Sequence, residues 1–106
     1  MPKYLTIASY TTEGTRGLLK EGGSARRAAV EKLLGGLGGK VESFYYAFGD
    51  ADVYVITEAP DNVSVAAVSL AVNASGAVSA KTVVLLTPQE MDAAAKKSVE
   101  YRAPGR

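Results

Sequence analysis

The sequence predicts an α+β domain in which helices cover one face of an antiparallel sheet. Segments with the two-residue period of strands and the 3.6-residue period of helices follow in the order β-α-β-β-α-β-α. The short Gly49-Asp50 turn joins the middle two strands directly, so these strands must be antiparallel neighbours. The 106 residues are typical of one domain. We expect a single domain over residues 1–106, with a core over about residues 3–98 and a tail over residues 99–106.

The first half of the chain begins with a strand over residues 3–10, where alternate residues belong to opposite faces. A loop over residues 11–15 and a short helical turn over residues 16–21 are expected to follow. Ser24 is a favourable N-cap for the first long helix, and Gly38-Gly39 ends it. The predicted buried side of this helix consists of apolar residues at helical spacing: Ala29, Val30, Leu33, Leu34 and Leu37. The neighbouring cations Arg26 and Arg27 are interpreted as a solvated helix face.

The central hairpin is predicted from strands over residues 40–48 and 51–58. Two loop residues that begin with glycine favour a type II′ turn, in which Phe48 lies opposite Ala51. Counting outward from this turn pairs the remaining strand residues: Tyr46 with Val53, Tyr45 with Tyr54, Phe44 with Val55, and Ser43 with Ile56.

The second half continues with a helix capped by Asp61 and ended near Gly76, and a strand over residues 78–86. Small apolar residues form the predicted buried side of this helix: Ala66, Ala67, Leu70, Ala71 and Ala74. Thr87-Pro88-Gln89-Glu90 has the pattern of a capping box, and it begins a last, peripheral helix. The element order is that of the ferredoxin-like fold.

The hairpin pairing divides the sheet residues between two faces. The side assigned to the helices carries Phe44, Tyr46, Phe48, Val53 and Val55, joined by Leu5 and Ile7. The opposite side carries Ser43, Tyr45, Ala47, Asp52, Tyr54, Ile56 and Glu58, joined by Tyr4, Thr6, Ala8 and Tyr10. This second side is too aromatic and apolar to remain in water, so we expect another subunit or a ligand to cover it.

The composition excludes several classes of function. The chain has no cysteine and no histidine, which excludes disulfides, thiolate chemistry, a Ser-His-Asp triad and histidine metal sites. A net charge of +1 argues against a nucleic-acid-binding protein. No apolar run approaches the roughly 18 residues of a membrane span, and no signal-peptide pattern is present. We therefore expect a cytoplasmic protein with no cofactor and no membrane partner.

The candidate residues for a binding site or an interface are four tyrosines and two carboxylates: Tyr4, Tyr10, Tyr45, Asp52, Tyr54 and Glu58. Tyrosine suits both interfaces and aromatic-ligand pockets, and an interface is the favoured interpretation. Asp50 and Asp52 could act as an acid–base pair, but turn and strand-end roles are favoured. Glu58 could be a general base or a solvated strand-end residue. Carboxylates alone are a weak basis for a divalent-cation site, so no metal is predicted.

The chain resembles the GYD domain family in residues 48–53 and 55–61, FGDADV and VITEAPD. Further similar positions are Tyr4, Thr11 to Gly14, Gly38-Gly39-Lys40, Tyr45-Tyr46, Gly76 and Thr87 to Glu90. The resemblance covers roughly residues 3–92. It implies a dimeric α/β barrel, in which two ferredoxin-like sheets pack face to face. Ala51 stands where the family has its name-giving tyrosine.

Three functions are compatible with these features. The leading hypothesis is a structural or small-molecule-binding homodimer or larger homo-oligomer, with a small aromatic molecule as a possible ligand. The alternative is a cofactor-independent enzyme of the monooxygenase or isomerase type. It would act on an aromatic or polyketide-like substrate between the sheets, bound by Tyr45, Tyr54 and Asp52. A regulatory ligand-binding domain is the third hypothesis.

Overall fold

The structure is a computed structural model that describes residues 1–106. Its elements are β1 (Lys3–Tyr10), α1 (Thr12–Glu21), α2 (Gly23–Gly35), β2 (Lys40–Tyr46), β3 (Val53–Glu58), α3 (Asn62–Ala74), β4 (Val78–Leu85) and α4 (Pro88–Ala95). The four strands form one antiparallel sheet in the order β2-β3-β1-β4. This arrangement confirms the predicted α+β, ferredoxin-like fold. None of the helices combines the length and apolar character needed to cross a membrane.

The predicted register of the central hairpin is confirmed, although its turn is different. Tyr46 pairs with Val53 and Tyr45 with Tyr54. The strands end earlier than expected, and the Ala47 N–H donates to the carbonyl oxygen of Asp52 at 2.8 Å. The longer loop preserves the register because it is centred on the same two residues as the predicted turn. It has no glycine of positive φ, so the type II′ prediction is wrong.

The face predicted for Phe48 is wrong. This residue was expected to face the helices, but it lies beyond the end of β2 and is fully exposed. The early end of the strand is the reason, because a loop residue no longer follows the alternation of the sheet.

A β-bulge at Glu42 shifts the register of β2, so that Val41 pairs with Thr57. Without the extra residue, Val41 would share the side of Ser43. With it, Val41 turns to the helix side and packs against the buried cluster of Ala8, Phe44, Val53 and Val55.

The two faces of β1 are the reverse of the prediction. Ala8 pairs with Val53 and Thr6 with Val55, so these β1 residues lie on the helix side. Leu5 and Ile7 therefore lie on the other side. No short turn constrains how β1 pairs with β3, and both sides of β1 are apolar enough for either orientation.

Helix α1 begins at Thr12, within residues 11–15 that were predicted to be a loop, and it includes the predicted helical turn over residues 16–21. The Thr11 hydroxyl accepts a hydrogen bond from the Gly14 N–H at 3.2 Å, so Thr11 is the N-cap. The same hydroxyl donates to the carbonyl of Gly76 at 2.9 Å, which ties α1 to the turn between α3 and β4. A threonine with a glutamate two residues later was the available sequence signal for this helix start.

The buried side of α3 is also opposite to the prediction. Residues of the predicted stripe are exposed, with Leu70 at 73%. The sheet instead meets the side that carries Val65, Val68 and Ser69. The helix is apolar on both sides, so the spacing of its residues cannot show which side is buried.

Helix α4 and the residues after it extend away from the rest of the domain. Helix α4 has no buried residue, although its predicted capping box is present at Thr87 and Glu90. The radius of gyration is 16.9 Å, against about 13 Å for a compact chain of this size. The C-terminal segment therefore adds length to the molecule without packing on its own sheet.

We expect the stability of α3 to depend on the charge of its cap, Asp61. The carboxylate accepts the Ser64 N–H at 2.8 Å, and this hydrogen bond lowers the pKa of Asp61. A lowered pKa contributes stability above the ordinary aspartate pKa of about 4, which is lost as the pH falls through the lower folded-state pKa. Asp61→Asn keeps a capping oxygen but does not titrate. Denaturant unfolding from neutral to acidic pH should show the wild type losing its advantage over this variant, and a constant difference would contradict the prediction.

Candidate functional site

The open face is the side of the sheet that no helix covers. Alternate residues of the four strands form it: Leu5, Ile7, Ser43, Tyr45, Tyr54, Ile56, Lys81, Val83 and Leu85. Tyr45 and Tyr54 are directly paired across β2 and β3 and are 70% and 38% exposed. The centre of this surface is therefore aromatic and aliphatic, and it is accessible to a partner.

One end of the open face carries two ion pairs. Lys40 Nζ lies 3.1 Å from Glu58 Oε2, and Lys3 Nζ lies 2.8 Å from Glu42 Oε2. The hydrogen bond from Lys40 is the main reason that the pKa of Glu58 is lowered. A carboxylate with a lowered pKa is a weaker base, which disfavours the general-base role considered for Glu58.

Asp52 holds the hairpin loop against β1. Its Oδ2 accepts the backbone N–H of Tyr10 at 2.8 Å, and its own N–H donates to the carbonyl of Ala8 at 2.9 Å. Asp50 lies exposed in the loop. No group of three acidic side chains is placed to hold a metal ion, so Asp50, Asp52 and Glu58 do not come together as one cluster.

The structure separates the six candidate residues. Tyr45, Tyr54 and Glu58 share the open face, and Asp52 is bound to the backbone of β1. Tyr4 and Tyr10 lie on the helix side, contrary to the face predicted for them, because Tyr4 pairs with Thr57 and its even-numbered neighbours pair with the helix-side residues of β3. Tyr4 is only 1% exposed and donates its hydroxyl to Asn62 Oδ1 at 2.6 Å.

A second feature, the inner cavity, lies between the sheet and helices α2 and α3. Its volume is about 100 Å³, and most of its lining is apolar, including Val30, Leu33, Phe44 and Val68. The sequence prediction placed a ligand only on the other side of the sheet. The cavity was missed because its walls come from six elements, all four strands with α2 and α3, that are spread along the chain.

The end of the inner cavity nearest α1 is polar, and we call it the mouth. Tyr10 and Arg26 line both the cavity and an adjoining depression of about 460 Å³ beside α1. Burial is the main reason that the pKa of Tyr10 is raised to about 12. Tyr46 stands beside them, and its hydroxyl donates to the carbonyl of Gly23 at 3.0 Å.

Arg26 does not lie on a solvated helix face, which was the interpretation given to both Arg26 and Arg27. Arg27 is exposed and pairs with Glu31 at 3.4 Å, as a solvated helix residue would. Arg26 is partly buried, lines the cavity, and takes part in none of the three ion pairs of the structure. Its position four residues before Val30, on the buried side of α2, was the sequence signal that could have identified it.

Comparison with known proteins yields one match. A family model described as the GYD domain matches residues 4–95, which is most of the chain. Searches of the curated proteins and of the solved structures found no match. Within the hairpin loop that carries the family resemblance, Ala51 is buried and Asp52 holds β1. These two residues therefore have a visible structural role.

Proposed function

Because this chain belongs to the GYD domain family, we propose that it functions as a homo-oligomer in which two copies pack their open faces together. The observation that carries the proposal is the open face itself. It places Tyr45, Tyr54 and Val83 in solvent, at exposures of 70%, 38% and 46%. A contiguous apolar surface of this kind is typical of an interface.

The small size of the core supports the same proposal. Only nine of the 106 residues are buried, so much of the apolar surface of the chain remains in contact with water. Small domains bury a low fraction of their surface, and association with a second copy is a common way to bury more. Association through the sheet would cover both sides of the strands.

The charges of the open face fit a second copy of this chain. A two-fold dimer brings the same surface together from both subunits, so that surface must complement itself. The centre of the open face is apolar, its charged end holds both signs, Lys3 and Lys40 with Glu42 and Glu58, and Lys81 on the edge strand β4 adds one further cation. A surface with this distribution has no large area of one charge to oppose pairing.

Two further apolar surfaces support an assembly larger than one sheet-to-sheet pair. The C-terminal segment carries Met91, Val99 and Tyr101, all at least 55% exposed, and it extends away from its own sheet. The outer side of α3 carries Val63 and Leu70, at 79% and 73% exposure. We propose that the C-terminal segment contacts the partner and that the outer side of α3 joins dimers.

Val83→Lys is expected to separate the two sheets. A lysine in the centre of an apolar interface would be buried without a partner, so the dissociation constant should rise at least ten-fold. Light scattering coupled to size-exclusion chromatography measures the change in mass. Leu19→Lys, at an 82% exposed position of α1, is the matched control and should keep the wild-type mass.

The same measurement can overturn the proposal. A wild-type protein that is monomeric at micromolar concentration would exclude the interface, as would an unchanged mass for Val83→Lys. Leu70→Lys tests the outer side of α3 separately, since it should reduce a larger assembly to dimers and leave those dimers intact.

The alternative proposal is a cofactor-independent enzyme that acts between two paired sheets. Its support is weaker because Asp52 accepts a backbone hydrogen bond and Glu58 is held by Lys40. Such an enzyme would depend on the hydroxyls of Tyr45 and Tyr54 to polarise its substrate. The cytoplasmic location expected from the sequence remains a prediction.

A further inference from the structure

We propose that the inner cavity binds a small organic monoanion, with its carboxylate at Arg26 and Tyr10 and its apolar body inside the cavity. This site lies on the opposite side of the sheet from the open face. It is independent of the proposed homo-oligomer, because its lining comes from the helix side of the sheet and includes none of the open-face residues.

The interior of the cavity suits a small apolar group. Protein interiors leave few voids larger than a water molecule, so a void of about 100 Å³ between helices and sheet is large for a domain of this size. A dry apolar cavity of about 150 Å³ is enough to hold benzene. The cavity of this chain is smaller, so an aromatic ring or a short branched chain fits if the side chains around it move outward or if part of the ligand stays in the mouth.

Away from the mouth, the polar side chains that line the cavity are neutral hydroxyls: Thr6, Thr57, Ser69 and Thr82. The hydroxyl oxygen of Thr82 lies 3.4 Å from that of Thr6 and 3.1 Å from that of Ser69. These groups and the Thr57 hydroxyl are neutral, so none of them can balance the charge of a carboxylate. The charge of the ligand must therefore be recognised at the mouth.

The mouth offers donors for a carboxylate. Arg26 presents a guanidinium group that pairs with no carboxylate of the chain. With a pKa raised to about 12, Tyr10 keeps its hydroxyl proton at neutral pH and can donate it. A guanidinium and a hydroxyl at the entrance of an apolar cavity match a molecule that is anionic at one end and apolar at the other.

Two glycines let the backbone approach the aromatic rings of the mouth. A Cβ at Gly23 would come within 2.9 Å of the Tyr46 ring, and a Cβ at Gly14 would lie 3.1 Å from Cδ1 of Tyr10. The hydrogen bond from Tyr46 to Gly23 also joins β2 to the start of α2. The mouth is thus held in place before a ligand arrives, which lowers the entropy lost on binding.

The surroundings of the mouth select for a single negative charge. Glu13 and Glu21 line the outer depression, so a second anionic group pointing outward would be repelled by two carboxylates. Arg26 is the one cation that lines either the cavity or the depression. This distribution favours a monocarboxylate over a dicarboxylate or a phosphate ester.

Benzoate is a suitable probe, and isothermal titration calorimetry with the full chain measures its affinity. We expect saturable binding to the wild type and a loss of affinity of at least about ten-fold in Arg26→Gln, because a charge-assisted hydrogen bond is removed. The matched control is Arg27→Gln, whose parent residue is exposed on the same helix, and it should bind like the wild type. Arg26→Lys should recover part of the affinity. Thermal unfolding of each variant confirms that it is folded.

Benzamide and acetate distinguish the contribution of the ligand's charge from that of its shape. Benzamide has the shape of benzoate without the charge, and acetate has the charge without the ring, so each should bind at least about ten-fold more weakly. The proposal is overturned if the wild type shows no saturable binding up to about 10 mM benzoate. It is also overturned if benzamide binds as well as benzoate, or if both arginine variants lose affinity equally. Val83→Lys should bind benzoate normally, which separates this site from the homo-oligomer proposal.

Discussion

Tyr4→Ala is expected to lower the free energy of unfolding by about 3–5 kcal/mol, the range for removing a buried aromatic side chain. Tyr4 is the largest fully buried side chain, at 1% exposure. Its loss would leave a cavity between β1 and the start of α3, and it would remove the donor to Asn62 Oδ1. Since small domains are stable by about 5–15 kcal/mol in total, the variant should lose a large fraction of its stability. Chemical denaturation followed by circular dichroism measures the change.

Tyr4→Phe separates the contribution of the ring from that of the hydroxyl, and a variant at an exposed position serves as the control. Tyr4→Phe keeps the ring and loses only the hydroxyl, so it should cost about 1 kcal/mol. Leu19→Ala removes an apolar side chain that is 82% exposed and lies outside the proposed interfaces, and its effect should stay within about 0.5 kcal/mol. If Tyr4→Ala costs no more than Tyr4→Phe, the ring is not part of the core.

Gly14→Ala is expected to destabilise the protein by about 1–3 kcal/mol, although alanine is the better helix former. A Cβ at this position of α1 would overlap the backbone carbonyl oxygen of Ala77. That carbonyl also accepts the Thr11 N–H at 3.0 Å, so it cannot move without loosening the attachment of α1 to β4. The change should appear as a lower denaturation midpoint with an unchanged m-value.

Gly17→Ala is the matched control on the same helix. A Cβ there would meet nothing within 4 Å, and the lower conformational entropy of alanine should stabilise the protein by about 0.5–1 kcal/mol. The two substitutions therefore have opposite expected signs. Equal effects at both positions would show that α1 does not lie against Ala77.

Local signals in the sequence predicted most of the elements correctly. The N-cap of α3 at Asp61, the capping box of α4 and the left-handed glycine at Gly38 are all present, and α3 ends near Gly76 as expected. The hairpin register was predictable because Gly49 and Asp50 mark the centre of its loop. The first turn of α1 was missed because the composition of residues 11–15 resembled a loop more than a capped helix start, whereas the helical turn over residues 16–21 was predicted.

The candidate site was predictable only in part. Tyr45 and Tyr54 were placed correctly beside each other, since their pairing depends on the hairpin alone. Tyr4 and Tyr10 were placed on the wrong side because their positions depend on how β1 pairs with a strand more than 40 residues away. Arg26 was not recognised, because the cavity it lines exists only after α2 and α3 have packed on the sheet.

By itself, the sequence determined the order of the elements apart from the full extent of α1, the hairpin register and the absence of cysteine and histidine chemistry. These depend on residues that are close along the chain, or on composition alone. Only the tertiary structure decided which sides of β1 and α3 are buried, and where the bulge at Glu42 turns Val41 inward. Both sides of β1 and α3 are apolar, so local periodicity allows two orientations. The choice between them is made by long-range pairing and packing, which also create the open face and the inner cavity.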